Sequence, residues 1–520
     1  MIICSVNIGH YSSLCVFKND TMVWYSEESK LTKNKNSGGI PYACIDLLSN
    51  KNFKIDQLLI TGYNYDAGHA FSLETYFKYK KINIPHKSFC YINPHHLSHL
   101  FKAYIDSKFK KATIFVIDSR GSDWQVSDNL SGYETTSVYT IDPDQSPPVK
   151  CLYKNIYVEE SFKSNSVKKN NGLFIDKDTK FNVSNKLDLG MFYSAATFRM
   201  NFKDHEEGKF MGWQSYGKFD EELYEKLKNQ ITFEEVKNIP VNQDAAHTCQ
   251  VYFENKYLEL VEKFKSDNMV FTGGTALNVV NNYKLKKKFL GKNLYFEPLC
   301  GDEGNCIGTA YLYLFLANIK PKPLSSIYIG GESKDFIFDT YKNVEISDVV
   351  NLLEKGNVVG LFQGKTEGGP RALGNRSLLL DPTIINAKDI MNLIKKRESY
   401  RPFACSILEE NANDYFEMLD IKKSPHMMYA AQAKKLAQDK IPSLVHADNT
   451  CRLQTINKEQ NLVLYKLLKN FKIPILMNTS FNLAGYAMNE TIEDALLTLK
   501  DSELKYIYFA DFNILYKKTK

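Results

Sequence analysis

The chain has 520 residues, 43% of them hydrophobic and 24% charged, with a formal net charge of +6. That length predicts two or three domains with sizeable apolar cores, and so slight a charge excess does not argue for nucleic-acid binding. Ten cysteines without a Cys-x-x-Cys pair, a polar turn at Asn7 and the lack of any apolar run of about 18 residues argue against a zinc knuckle, a disulfide framework, a signal peptide and a transmembrane helix; a cytoplasmic protein is expected.

The chain opens as strand, turn, strand, turn, strand, with apolar runs at 2–6, 14–17 and 22–25 separated by polar turns at 7–12 and 19–20. Pro94 suits the first turn of a helix whose apolar stripe is Leu97, Leu100, Phe101 and Tyr104. A buried strand at 112–117 ends on Asp118, and 161–186, rich in Lys and Asn, reads as a mobile insertion. A short strand at 269–272 runs into Gly273-Gly274 and a helix at 276–283. A further apolar helix is predicted at 307–316. Strands alternating with helices predict an α/β domain of roughly 320 residues, ending at a Lys/Pro/Ser linker over 320–326. Beyond it, strands at 358–362 and 473–477 and a loop around Gly368-Gly369-Pro370 predict a second, smaller α/β domain. The sequence shows no internal repeat.

Several segments carry chemistry. His95 and His99 are four apart on one helical face, roughly opposite the apolar stripe. Such a pair reads either as solvent-exposed or, with a carboxylate such as Asp118 nearby, as ligands of a divalent metal that also takes substrate oxygens. Gly273-Gly274 reads as a plain strand-to-helix turn or as a phosphate-binding one, since glycines let backbone N–H groups approach an anion. Gly301-Asp302-Glu303-Gly304-Asn305 is either a capping loop or a further carboxylate in a flexible turn. The segment 364–377, containing Arg371 and Arg376, is followed by Lys395-Lys396-Arg397-Glu398 and Arg401-Pro402-Phe403. Guanidinium forks interleaved with Gly, Pro and apolar residues suit an anion site better than a solvated face. The stretch 446–454, with Arg452, adds polar groups, and Asn478-Thr479-Ser480 is expected in a strand-end loop open to a ligand.

In order, these segments resemble the O-carbamoyltransferase family that modifies nodulation factors, tobramycin and cephamycins. The matching residues are Asn7-x-x-His10, His95/His99, Asp118 with Gly121 and Trp124, and Glu207-Gly208-Lys209-Phe210-Met211-Gly212. They continue with Gly273 to Asn278, Gly301 to Gly304, Gly369-Pro370-Arg371-Ala372-Leu373-Gly374-Asn375-Arg376-Ser377, Arg401-Pro402-Phe403-Ala404 and Asn478 to Asn482. The resemblance implies an actin/hexokinase-like (ASKHA) domain over 1–325, of the threonylcarbamoyl-transferase kind, and a YrdC-like domain over 326–520. It implies that the C-terminal domain makes carbamoyl adenylate from carbamoyl phosphate and ATP. The intermediate then moves internally to the N-terminal domain, where an acceptor hydroxyl attacks it.

By the same resemblance His95, His99, Asp302 and Asp118 would hold iron, or else Mg or Mn. His10 would be the general base, and Asp118, Arg371 and Arg376 would share in catalysis. Lys209, Gly273, Gly274, Asn278, Lys395, Arg397, Arg401, Asn478 and Ser480 would contact nucleotide or carbamoyl phosphate. The acceptor would be a sugar, an antibiotic-like natural product or a hydroxymethylated nucleotide; a homodimer is the commonest assembly for such a chain. Two rivals are a threonylcarbamoyl-type tRNA-modifying enzyme and a nucleotide-binding regulator without turnover.

This chain departs from the family in four places. Tyr11 stands in the His-Asp-Ala-Ser motif, Lys33-Asn34-Lys35-Asn36 replaces Arg-x-Lys-His, Gly368 replaces an aromatic residue, and Leu483-Ala484-Gly485-Tyr486 stands where Gly-Glu-Pro is usual. The N-terminal departures are expected beside the acceptor pocket.

Overall fold

A computed structural model gives the fold and describes residues 1–62, 67–84, 89–90, 95–160, 172–229, 231–333, 336–338 and 341–518. Two compact units divide the chain. The first comprises Met1–Glu28, Asn36–Asn278 and Gly291–Ser325; the second comprises Ser29–Lys35, Val279–Leu290 and Ser326–Lys520. The main division thus falls in the linker, but two short pieces before it belong with the second unit, unlike the expected division into 1–325 and 326–520. Their partners explain why. Lys33 pairs with Asp494, and Asn34 bridges Tyr486. The Asn282 amide donates to the Met428 carbonyl (3.0 Å), the Tyr283 hydroxyl donates to the Glu417 carbonyl (2.7 Å), and Lys286 pairs with Asp420 at 2.8 Å.

The first unit holds two sheets of the same plan. In one, the order is Thr21–Glu27, Ser13–Lys18, Ile2–Ile8, Gln57–Gly62, Phe89–Cys90. The first three strands are antiparallel, and Ile2–Ile8, Gln57–Gly62 and Phe89–Cys90 run parallel. The other has Val149–Tyr157, Ser131–Ile141, Ala112–Ile117, Asn268–Thr272, Asn293–Phe296 in the corresponding places, with the same directions. The repeat that the sequence does not show is therefore a repeat of topology. Central strands such as Ala112–Ile117 are buried along their whole length, so they read as continuous apolar runs without alternation.

Three local expectations change. Residues 276–283 are a 3-10 turn, Gly274–Leu277, and a separate helix, Val279–Lys288, broken at Asn278. Residues 161–171 and Pro94 lie outside the described residues; the later part of the expected insertion contains a strand, Lys180–Ser184, parallel to Val149–Tyr157. Among the described residues no helix is long and apolar enough to cross a membrane.

The second unit is built on a nine-stranded mixed sheet. At its centre are Tyr506–Phe509, Val359–Phe362, Arg376–Leu380, Ile475–Ser480, Ala404–Leu408 and Thr450–Ile456, in that order. Its core joins Val359, Leu361, Leu379, Leu408, Ile456 and Leu476 to the apolar faces of helices Ile346–Glu354 and Leu462–Asn470. The strand expected at 473–477 runs over Ile475–Ser480, so Asn478 lies inside the sheet, not in a strand-end loop.

Candidate functional site

In the first unit, parallel strands Ala112–Ile117 and Asn268–Thr272 end side by side, with Val116 opposite Thr272. The ends of parallel strands are where such sheets bind ligands. The first strand delivers Asp118, and the second delivers Gly273-Gly274. A Cβ on Gly273, whose φ is +84°, would stand 2.4 Å from the Ile117 carbonyl oxygen; one on Gly274 would stand 3.3 Å from Asp118 Oδ1. Only glycine lets this turn lie against the Asp118 strand. Helix His95–Ser107 presents His95 and His99, both buried, which removes the solvent-exposed alternative. The 3-10 turn Asp302–Gly304 brings Asp302 to them.

Four side chains converge. His95 Nε2 is 3.3 Å from an oxygen of Asp118 and 3.3 Å from one of Asp302. His99 Nε2 is 3.4 Å from Asp118 and 3.2 Å from Asp302. Each nitrogen thus faces two carboxylate oxygens at nearly equal distance, and each oxygen faces two nitrogens. One ring proton cannot serve two acceptors along good lines, whereas a central cation serves all four. Ligands about 2.1 Å from a tetrahedral ion stand about 3.4 Å apart, which matches. Burial disfavours the imidazolium forms, yet the two carboxylates outweigh it and hold both rings above the usual histidine range. Burial likewise opposes the carboxylate charges, and the two rings still hold Asp118 and Asp302 below the usual range. The donor set of two imidazoles and two carboxylates fits a divalent transition metal. The Asn305 amide donates to Asp302 (3.2 Å) and lies 3.4 Å from His99 Nε2, fixing both.

The intervening His96 does not join. Its Nδ1 is 2.7 Å from Ser137 Oγ, and burial, opposed by Glu134 and reinforced by Lys154, pushes it down to about 3. Glu134 also accepts from the His96 and Ser122 backbone amides, both at 3.3 Å, and so anchors the start of the histidine helix.

Among the other expected residues of this unit, His10 follows strand Ile2–Ile8. The Asn7 amide donates to the carbonyls of His10 (3.1 Å) and Tyr11 (3.4 Å), which is what the Asn7-x-x-His10 spacing accomplishes. Burial and His205 hold the His10 imidazole below its usual range, against the pull of Asp302, Asp204 and Asp118. Asn278 is locked in a reciprocal amide pair with Gln250 (3.2 and 3.3 Å), and Lys209 is paired with Glu206 at 2.6 Å.

The second unit carries a cluster of opposite character. Arg371, Arg397 and Arg401 lie within electrostatic reach of Arg452, and Arg397 and Arg401 also within reach of Lys395. Burial, then Arg371, Arg397 and Arg401, push the Arg452 guanidinium well below its usual range; burial, then Arg401, bring Arg397 down to about 9. Burial, Arg397, Arg401 and Lys35 do the same to Lys395. Glu398 offers a counter-charge 3.7 Å from Arg401. The buried Nε atoms of Arg397 and Arg452 have no hydrogen-bond partner among the described residues. Lys395 is held by the carbonyl of Asn482 (3.0 Å), its Oδ1 (2.9 Å) and Ser480 Oγ (3.3 Å). Asn478, wholly buried, donates to Ser406 Oγ (2.8 Å) and Gln454 Oε1 (3.2 Å).

Arg376 stands apart from this cluster. Its side chain is fully buried, stacks on Phe362 with 3.6 Å to the ring centroid, and donates to the carbonyls of Gln363 (2.6 Å), Gly364 (3.1 Å), Asn375 (3.1 Å) and Glu490 (3.2 Å). Its terminal nitrogens thus brace main-chain oxygens as a strut, while its buried Nε has no hydrogen-bond partner among the described residues. Arg452 was legible only as one polar residue among several in 446–454; the cluster gives it the more pointed place.

The departures also find their places. Asn34 bridges Tyr486, so two of them meet each other inside the second unit. A Cβ on Gly368 would lie 3.0 Å from Ile329, which fills the space an aromatic residue would need.

The chain was compared with known proteins. The carbamoyltransferase N-terminus family matches residues 51–244 and 230–311, and the carbamoyltransferase C-terminus family matches 350–516. An uncharacterized protein of Methanocaldococcus jannaschii is 30% identical over 98% of this chain and 96% of its own length. An uncharacterized protein of Synechocystis sp. is 31% identical over 81% of this chain and 75% of its own. Nodulation protein NolNO of Sinorhizobium fredii is 27% identical over 79% of this chain and 62% of its own. Among solved structures, HypF of T. kodakarensis matches with 13% identity and a TM-score of 0.36, over 62% of this chain and 48% of that one. With both family matches in order along the chain, and a relative aligned over nearly its whole length, the protein belongs to the carbamoyltransferase family and is a transferase enzyme.

Proposed function

We propose that the enzyme moves a carbamoyl group from carbamoyl phosphate, with ATP, onto the hydroxyl of a small molecule, in two half-reactions divided between the two units. The observation that carries this reading is the cation cluster of Arg371, Lys395, Arg397, Arg401 and Arg452, in which the buried Nε donors of Arg397 and Arg452 have no acceptor among the described residues. Such a cluster gains stability from an anion among it, and the phosphates of carbamoyl phosphate and ATP are that kind of ligand. Here water would cleave carbamoyl phosphate to carbamate and inorganic phosphate, and a carbamate oxygen would attack the α-phosphorus of ATP, giving carbamoyl adenylate with pyrophosphate as the leaving group. Asn478, whose buried Oδ1 has no hydrogen-bond partner among the described residues, lies deeper in the same sheet and can accept from the carbamoyl amide.

The first unit then receives the carbamoyl group. Its repeated sheet plan supports the actin/hexokinase-like reading, and the mixed sheet of the second unit is compatible with the YrdC-like one. His95, His99, Asp118 and Asp302 would hold a divalent metal, iron by the family resemblance, and the backbone at Gly273-Gly274 stands beside Asp118 for nucleotide oxygens. A metal there would supply positive charge to a nucleotide leaving group. The acceptor must lose its hydroxyl proton, and we assign that step to the surroundings of His10, whose ring is held neutral. The acceptor belongs to the class of sugars, antibiotic-like natural products and hydroxymethylated nucleotides.

Incubation with labelled carbamoyl phosphate and ATP tests the reading. Labelled carbamoyl adenylate and pyrophosphate are expected, and neither should form without ATP. Transfer from carbamoyl phosphate in rigorously nucleotide-free enzyme would contradict it.

A further inference from the structure

The first unit holds a second group of metal-ligating side chains, of which the reaction described above uses only His10. The ligating atoms of His10, Asp204 and His205 all lie within 4.8 Å of one another. His10 and His205 meet edge to face, with ring centroids 4.0 Å apart. His205 Nε2 is 3.3 Å from Asp204 Oδ2, the separation of neighbouring ligands on one ion, yet this buried nitrogen has no hydrogen-bond partner among the described residues. The two loops that bring these residues together are both held in costly conformations. Tyr11 has φ of 45° and His205 of 62°, in the left-handed region that side chains avoid, and their rings pack at 5.5 Å. Two such loops set against each other point to a built arrangement and not to a chance meeting of side chains.

We propose that His10, Asp204 and His205 form a second divalent-cation site. Two imidazoles and one carboxylate, with the remaining positions open, are the donor set of sites that bind a transition-metal ion and an exchangeable oxygen ligand together. Tyr11, under the influence of Glu303, Glu207, Asp302 and Asp204 after the dominant effect of burial, closes the same surroundings with a phenol where the family has a carboxylate. The open positions would take oxygens of a polyhydroxylated acceptor; this role, though not the site itself, rests on the carbamoyl-transfer reading. His10 then serves the acceptor through the ion.

Cobalt(II) titration of the metal-free full-length enzyme, followed by visible absorption and by metal content after gel filtration, tests the site. Two Co(II) per chain are expected for the natural protein. His205→Ala and the nearly isosteric, exposed Asp204→Asn should each retain one, His99→Ala should retain one, and the His99→Ala/His205→Ala double variant none. One Co(II) per natural chain, a second bound only at millimolar metal, or two still bound by both His205→Ala and Asp204→Asn would overturn the proposal. Circular dichroism of each variant separates loss of a site from loss of the fold. Failure of carbamoyl transfer as the reaction would appear separately, as absence of product whatever the cobalt content.

Discussion

The two units gather charge in opposite ways. In the first, two imidazoles face two carboxylates, so the cluster is nearly balanced and each group steadies the others even though all are desolvated. In the second, four guanidiniums and a lysine crowd together, and burial adds to the repulsion. A balanced cluster folds by itself and can exchange its internal pairing for a cation. An unbalanced one is a standing demand for anions. The difference shows why arginine count alone misleads: Arg376 has the same chemistry as Arg452 but gives its terminal nitrogens to carbonyl oxygens, whereas Arg452 lies among like charges.

Substitutions sharpen this contrast, and the largest effect belongs to the strut. Arg376→Ala leaves several buried carbonyls without donors and should destabilise the protein by roughly 3–5 kcal/mol, the range for breaking a buried charged network. Urea unfolding measures this; a variant as stable as the parent but dead in adenylate formation would return Arg376 to the anion site. Next comes Arg452→Gln. It relieves repulsion, so the anion-free protein should be no less stable, while adenylate formation should fall by the equivalent of roughly 2–5 kcal/mol. Pyrophosphate release beside thermal melts reads both; equal loss of stability and activity would show that Arg452 is only structural.

The smallest effect is a slope. The folded-state pKa of Lys395 lies below the ordinary 10.5, first through burial and then through Arg397, Arg401 and Lys35. Between the folded and unfolded values the unfolded chain binds more protons, so stability rises with pH in that window. In anion-free buffer the stability of the parent relative to Lys395→Met should therefore rise toward pH 10, by at most about 1.4 kcal/mol per pH unit. A flat or falling difference would mean that the lysine charge is already compensated.

Much of both sites could be read from the chain, because metal and phosphate chemistry restricts which residues serve. His95 and His99 share a helical face by spacing, and Asp118 ends an evident strand; the structure brings them to Asp302. What spacing could not supply was burial: a pair opposite the apolar stripe read as open to solvent, because the elements covering it lie elsewhere in the chain. The role of Arg376 was hidden for the same reason, since its acceptors range from Gln363 to Glu490. The repeated sheet plan left no trace because a topology constrains only where apolar runs fall. Lys33-Asn34-Lys35 could not be assigned to the second unit from sequence, for its contacts with Asp494 and Tyr486 span more than 450 residues of chain.

The central claim is that the two clusters carry separate half-reactions. It is tested most directly by supplying carbamoyl adenylate to Arg371→Ala and to His95→Ala, each confirmed as folded, and measuring carbamoylated acceptor. The account predicts that the added intermediate restores product in Arg371→Ala but not in His95→Ala, while His95→Ala still releases pyrophosphate from ATP and carbamoyl phosphate. If both variants were rescued, or neither, and both lost pyrophosphate release equally, the division between the two units would be contradicted.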